Sequence, residues 1–377
     1  MEDCFSNLGL VLQKEFKYSS FGQCSIIQCE YGKISLYMKK IAILRLSALG
    51  DVVLVVPLVN VLLKAFPQAE ISWITTKQTV DLLGPIKRVK WVIVEKPKSL
   101  GAISNNRKAL SGNRFDVLLL LQASFSAHLV SFQVSAQRKI GFDSRRGKDF
   151  HGLFINDSIS YEDQHFVDAY LSFARKLGVV DHVVSWEGAF SNMDLEWIDR
   201  ELPEGFPRVG LATSPSKKER RWSKGNYRNV IEYLIEKKIT VFLFGGNSKE
   251  EKAYNSELAA PFSGKVKDFT DQTTLPQWSA LISSVNLLIA PDTGCVHVAR
   301  ALGVPVVGLY AVANPFLTGP YMEQEYCVSK YDEALNKYLP GSKVKDYHLR
   351  IHHPDAMSLI HPNEVIGKIE QALGLQS

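Results

Sequence analysis

The chain reads as two doubly wound α/β domains in succession, a fold class that three observations predict. From residue 40 onward apolar runs of strand length alternate with helical patterns. Runs such as VLLLL at 117–121 also lack the polar alternation of a half-exposed sheet, as expected of parallel strands covered on both faces. At 377 residues the chain exceeds the size at which one core keeps growing, and a Pro/Gly segment at 201–207 divides one alternating series from a second.

The first series opens with a buried strand at 40–46, KIAILRL, and a helical pattern at 51–66. Strands at 70–75, 89–94, 115–121 and 138–142 follow, separated by helices near 77–84, 99–110 and 124–136. The second series has strands at 208–213, 240–244, 267–270, 286–290 and 305–309, with helices near 224–238, 249–260, 275–284 and 294–302. An amphipathic stretch at 362–374 is expected to be a closing helix. Residues 1–37 show weak periodicity and scattered cysteines, so they are read as an N-terminal extension, with Met38 as the natural start.

Composition excludes several classes. With 46% hydrophobic and 22% charged residues the chain is neither disordered nor fibrous, and no apolar run approaches the roughly 18 residues of a spanning helix. Five cysteines, including Cys4, Cys24 and Cys29, form no C-x-x-C pair and no disulfide framework, which favours a reducing cytoplasm. No export signal is evident.

In parallel sheets, ligands bind beyond the carboxyl ends of strands, so the turns after strands are where chemistry is expected. RLSALGD (45–51) ends the first strand with Gly50 for a close turn and Asp51 at a helix N-terminus, where exposed N–H groups favour a carboxylate. A plain helix cap would look the same. APDTGCVH (290–297) offers Asp292 or Thr293 as a cap, Gly294 for close approach, and His297 one turn on; its free N–H groups suit a diphosphate. Asp-Thr-Gly also occurs in aspartic proteases, but those need two copies in β-rich lobes, and here a helical period follows a single copy.

LATSPSKKERRW (211–222) brings the hydroxyls of Thr213 and Ser214 together with Lys217, Lys218, Arg220 and Arg221, cations suited to phosphate. FLFGGNSKEE (242–251) carries Glu250 and Glu251 at a helix start, where a carboxylate can accept from ribose hydroxyls or simply favour its helix dipole. Between Ile86 and Lys148 there are 13 Lys/Arg and 3 Asp/Glu, a local net of +10 against +5 for the whole chain. An anionic partner is therefore expected of the first domain. No helix-turn-helix, zinc-finger, RRM or KH signature makes it nucleic acid, whereas phosphorylated lipid at a membrane surface fits.

RLSALGD, APDTGCVH, the TS…RRW segment (213–222) and LYAVANPFLTGPY (309–321) together resemble glycosyltransferase family 9, the ADP-heptose:lipopolysaccharide heptosyltransferases, from about residue 38 to the C-terminus. The resemblance implies a GT-B fold: two Rossmann-like domains facing a cleft, acceptor on 38–202 and nucleotide sugar on 203–377. By position Asp51 matches the family's catalytic base, and Asp292, Thr293, Gly294 and His297 match its donor-binding Asp-Thr-Gly-x-x-His. Thr213 and Ser214 match its hydroxyl pair beside the phosphates. Arg220 stands where the family often has a lysine, with Lys218 in the same cationic run. The donor-side glutamate falls at Glu250 or Glu251, and the resemblance does not choose between them.

Arg138, Arg145, Arg146 and Lys148, in the basic run RKIGFDSRRGK, are the expected acceptor contacts. The implied partners are a nucleotide-sugar donor and an anionic lipid-linked glycan, met by a monomer at the cytoplasmic face of the inner membrane. The implied co-substrate is an ADP-sugar, with no further cofactor and no metal.

His348, His352, His353 and His361 lie in a polar stretch without cysteine and with irregular spacing, so they are read as surface or interdomain residues rather than a zinc site. An NAD-dependent oxidoreductase would share the architecture, but no G-x-G-x-x-G follows a strand. A non-catalytic sugar-binding protein would normally be exported. A transferase of the same fold with a different nucleotide sugar is the remaining alternative.

Overall fold

The computed structural model describes residues 38–180, 183–202, 207–215, 217–342 and 349–375. The expectations for residues 1–37, for the heart of the 201–207 linker and for His348 lie outside the described residues.

The first domain holds a six-stranded parallel sheet: β1 (Lys40–Leu44), β2 (Glu70–Thr75), β3 (Val89–Ile93), β4 (Arg114–Leu120), β5 (Ser135–Gly141) and β6 (Asp157–Ser158), in the order β3-β2-β1-β4-β5-β6. The second holds β7 (Arg208–Ala212), β8 (Thr240–Phe244), β9 (Val266–Asp268), β10 (Leu287–Pro291), β11 (Val306–Tyr310) and β12 (Val328–Ser329), ordered β12-β11-β10-β7-β8-β9. Counted from its own first strand, the second order is the same as the first. Each sheet therefore reverses direction beside its first strand, between β1 and β4 and between β7 and β10, where a crevice opens beyond the carboxyl ends.

The unbroken apolar character of β1 follows from double burial. Ile41 and Ile43 join one core cluster and Ala42 and Leu44 another, because successive side chains leave a strand on opposite faces. The cluster holding Ile41 does not stop at the domain boundary. It continues through Val53, Leu54 and Phe173 to Phe244, Leu281 and Val296 of the second domain. The two halves thus share one apolar core, with a second cluster confined to the far side of the second sheet.

Helices α1 (Leu49–Val53), α2 (Val56–Ala65), α3 (Lys77–Leu83), α4 (Leu100–Leu110), α5 (Phe125–Phe132) and α6 (Phe166–Lys176) belong to the first domain, and α7 (Leu195–Glu201) packs on the second through the pairs Asp194–Gln277 and Trp197–Phe269. The second has α8 (Lys224–Glu236), α9 (Lys249–Ala259), α10 (Leu275–Ser283), α11 (Gly294–Ala301), α12 (Pro315–Thr318), α13 (Tyr331–Tyr338) and α14 (Pro362–Leu373). No helix among the described residues is long and apolar enough to cross a membrane.

The single helix expected over 51–66 is two. Pro57 has no N–H to give the Val53 carbonyl, and the ladder breaks at Leu54–Val55. The freed carbonyl accepts instead from the indole N–H of Trp186 at 3.0 Å. The helix expected over 124–136 ends at Phe132, and β5 begins at Ser135. Helix α6 carries no common cap residue. His165 precedes it, its Nδ1 accepting from Val167 N–H at 3.1 Å, so the usual start signal is missing from the sequence.

Candidate active site

The turn after β1 is held on every side. Thr75 Oγ1 donates to the Arg45 carbonyl at 2.7 Å, and Leu46 N–H donates to Gln122 Oε1 at 2.9 Å, so β2 and β4 fix its backbone. Arg45 then folds back: one guanidinium nitrogen donates to the Leu121 carbonyl and another to Asp51 Oδ2, each at 2.5 Å. Ala48 N–H adds a bond to the same carboxylate oxygen at 3.2 Å. The Asp51 side chain keeps 35% of its surface, against 11% for Arg45. Burial raises its pKa, but the charges of Arg45 and His297 and the Ala48 N–H outweigh that and hold it below the ordinary carboxylate value. Asp51 is ionised at neutral pH and fixed in direction.

Across the gap, β10 runs into α11. Thr293 takes the N-cap position in extended conformation without using its side chain as a cap, which leaves its buried hydroxyl without a hydrogen-bond partner. His297 Nδ1 and Arg220 Nε are likewise buried without partners. Three unmet polar atoms around one helix N-terminus mark a place built for a polar ligand. Arg220 lies 3.0 Å from Asp292 Oδ2 and donates to the Asp292 carbonyl at 3.2 Å. The His297 imidazole is buried and its pKa lowered by that burial, against the pull of Asp51 and Asp292.

The two sites meet at a pair of glycines. A Cβ on Gly50 would lie 2.3 Å from Gly294 Cα, and one on Gly294 would lie 2.9 Å from Gly50 N. The N-terminal ends of α1 and α11 therefore touch, and Asp51 and His297 open onto one cleft of about 960 Å³.

Of the expected donor residues, Ser214, Arg220, Asp292, Thr293, Gly294 and His297 line this cleft. Thr213 does not. Its hydroxyl is turned inward to Asn255 Oδ1, and the Asn255 amide donates to Thr270 Oγ1 at 2.7 Å, a buried chain that ties the ends of β7, β8 and β9 together. Lys218 and Glu250 lie outside, paired with each other at 3.1 Å, and Glu250 also accepts from Arg221 at 2.8 Å. Glu251 lines the cleft instead. Its carboxylate completes a capping box with Ser248 and lies against Gly246.

None of the four expected acceptor cations lines the cleft. Arg138 pairs with Asp157 of β6 at 2.6 Å. Arg146 is buried, bonded to Asp143 and donating to the Ser160 carbonyl at 2.7 Å, so it fastens the loop after β5. Arg145 stacks over Tyr161 at 3.7 Å, and Lys148 is exposed on the same loop. The first domain's wall of the cleft is made by Ser47, Thr76, Gln78, Lys96 and Phe166, which sequence reasoning missed. Arg45 was missed too. A lone arginine closing the run IAIL was its signal. The C-terminal histidines are engaged elsewhere: His352 with Glu219 at 3.0 Å, His353 stacked on Tyr338, and His361 as the cap of α14.

A carboxylate on one lip of an interdomain crevice and a helix N-terminus with arginine on the other define an enzyme that handles a nucleotide diphosphate beside an acceptor. Residues 103–348 match the family model of glycosyltransferase family 9 (heptosyltransferase). The chain is also 32% identical over 342 residues to the lipopolysaccharide core heptosyltransferase OpsX of Haemophilus influenzae, covering 89% of this chain and 97% of that protein. The chain belongs to glycosyltransferase family 9 and is a glycosyltransferase. Its fold is that of a Veillonella parvula family 9 glycosyltransferase (TM-score 0.75, 21% identity, 90% of this chain and 98% of that one). The Escherichia coli heptosyltransferase WaaC, solved with ADP, is similar at TM-score 0.68 and 18% identity, over 88% of this chain and 99% of that one. Both support the GT-B architecture.

Proposed function

We propose that this chain transfers the heptose of ADP-heptose, with inversion, to a Kdo or heptose residue of the lipopolysaccharide inner core. The observation that carries the reading is the meeting of Asp51 with the α11 N-terminus in a single cleft. The relative named above as a lipopolysaccharide core heptosyltransferase supports the choice of sugar and acceptor.

In this reading the acceptor hydroxyl attacks the anomeric carbon from the Asp51 side while the bond to the ADP oxygen breaks on the opposite face. The hydroxyl proton passes to Asp51. Its low pKa makes it a weak base, so the proton moves late, once the hydroxyl has been acidified by bond formation. Charge growing on ADP is met by the N–H groups opening α11, by the Thr293 hydroxyl and by Arg220, all in place beforehand. Glu251, rather than Glu250, is the carboxylate positioned for the donor's ribose. The protein's own cations do this work without a metal or further cofactor. An acceptor tied to lipid places the enzyme, as a monomer, at the cytoplasmic face of the inner membrane.

Unfolding followed with ADP, UDP, GDP and NAD tests the donor. A ligand that binds only the folded state at about 100 times its Kd adds about 2.7 kcal/mol. ADP is expected to protect most. Equal protection by UDP, or protection by NAD alone, overturns the assignment.

A further inference from the structure

Helix α5 carries large apolar side chains on its exposed side. Ala127, His128, Val130 and Ser131 are buried against the domain, yet Phe125 and Phe132, seven residues apart and so on one stripe, stand 61% and 76% exposed. The neighbouring turn does the same. Phe150 and Leu153 are each 82% exposed, and Leu153 N–H closes on the Phe150 carbonyl at 2.9 Å.

These two elements form one surface. Phe125 N–H donates to Asp149 Oδ2 at 3.0 Å, and Phe132 and Leu153 line a shallow groove with Lys139. Beneath them His128 Nε2 and His151 Nδ1 share a hydrogen bond at 2.8 Å, and Phe154 stacks on His128 at 4.6 Å. The buried bond clamps α5 to the turn, so the four apolar side chains project from fixed backbone. Asp149 and Phe150 both take left-handed φ, +52° and +60°, a conformation that a bulky side chain such as Phe150 adopts only against steric cost. That strain leaves the Phe150 ring in water instead of packing it, which points to a contact outside this chain.

Cations border the patch: Lys139 in the groove, and Arg145 and Lys148 on the loop after β5. Fixed apolar groups beside positive charge match the boundary between anionic headgroups and acyl chains. The geometry points to this face as the docking surface for an anionic phospholipid bilayer, with Phe125, Phe132, Phe150 and Leu153 seated at the acyl boundary. The inference rests on the proposed lipid-linked acceptor and names the face that meets its membrane. Phe125 lies three residues after Gln122, whose side chain accepts from Leu46 N–H in the catalytic turn.

Co-sedimentation of the full chain with phosphatidylcholine vesicles, with and without phosphatidylglycerol, tests it. The wild type is expected to partition onto the phosphatidylglycerol vesicles, less so at high salt. The pair Phe132→Glu and Leu153→Glu should lower partition about tenfold or more, leaving the unfolding temperature and ADP affinity unchanged. A Phe150→Trp variant should gain fluorescence quenching by brominated lipid. Three results would overturn the proposal: no wild-type partition, unchanged partition of the double variant, or a solution dimer that the double variant dissociates, which would make a second copy the occupant. The vesicles carry neither glycan nor nucleotide sugar. Their binding therefore stands or falls apart from the transfer reaction.

Discussion

Asp51 stands between two opposed influences. Partial burial favours its neutral form, while Arg45, His297 and the Ala48 N–H favour the anion, and the anion wins. A group with a depressed folded pKa adds stability above its ordinary value of 3.8, and that stability is lost as pH falls through the lower folded value. Transfer should accordingly show no acid limb from Asp51 near neutrality. Asp51→Asn keeps the shape but removes the proton acceptor, so turnover is expected to fall about 10²- to 10⁴-fold. ADP affinity by calorimetry should change far less than turnover, because Asp51 hydrogen-bonds to no expected donor residue and reaches that side only through its charge on His297. Turnover within threefold of wild type would remove Asp51 from the base role.

At the scale of elements, the break between α1 and α2 shows one local rule recruiting a distant residue. Pro57 ends the ladder, and Trp186, 133 positions downstream of Val53, supplies the donor that the Val53 carbonyl lacks. Trp186→Phe keeps an aromatic ring there but leaves that carbonyl unmet, at an expected cost of about 1–3 kcal/mol. Urea unfolding should show a lower midpoint at constant slope; an unchanged midpoint would mean that water replaces the indole. The proline and the apolar run were readable in the sequence. The partner was not, because nothing local ties Trp186 to position 53. Helix α6 escaped for a related reason: its N-cap is a histidine, and the residues that reward that choice belong to the other domain.

For the molecule as a whole, the two domains are joined by polar bridges as well as by a shared core. His165 Nε2 donates to the Gly319 carbonyl at 2.9 Å while Nδ1 accepts from Val167, which requires the neutral ring. Tyr321 OH donates to Asp168 Oδ1 at 2.8 Å beside it. Burial brings the His165 pKa down from 6.5 to about 3. Its contribution is therefore complete above pH 6.5 and is lost as pH falls toward 3, by about 1.4 kcal/mol per pH unit for one proton. His165→Asn retains a helix cap without the titration. Its stability, measured by urea between pH 4.5 and 6.5, should fall with a slope about one proton shallower than wild type. Equal slopes would mean that the interdomain bridge does not carry the acid sensitivity.

The sequence by itself determined the two doubly wound sheets, because runs such as IAIL and VLLLL can be satisfied only by burial on both faces, and the turns bearing Asp51 and Asp292–His297 follow from where those strands end. It also placed six of the nine expected donor residues on the cleft. Tertiary structure alone decided which member of each charged run faces it. Glu250 and Glu251 are adjacent in the chain but point apart on a helix, Thr213 turns into the domain while Ser214 turns out, and the basic run 138–148 lies outside the cleft beside exposed aromatics. The physical reason is one of range. Burial periodicity is a local property of the chain, whereas the direction of a polar side chain is set by partners from other strands, other helices and the other domain.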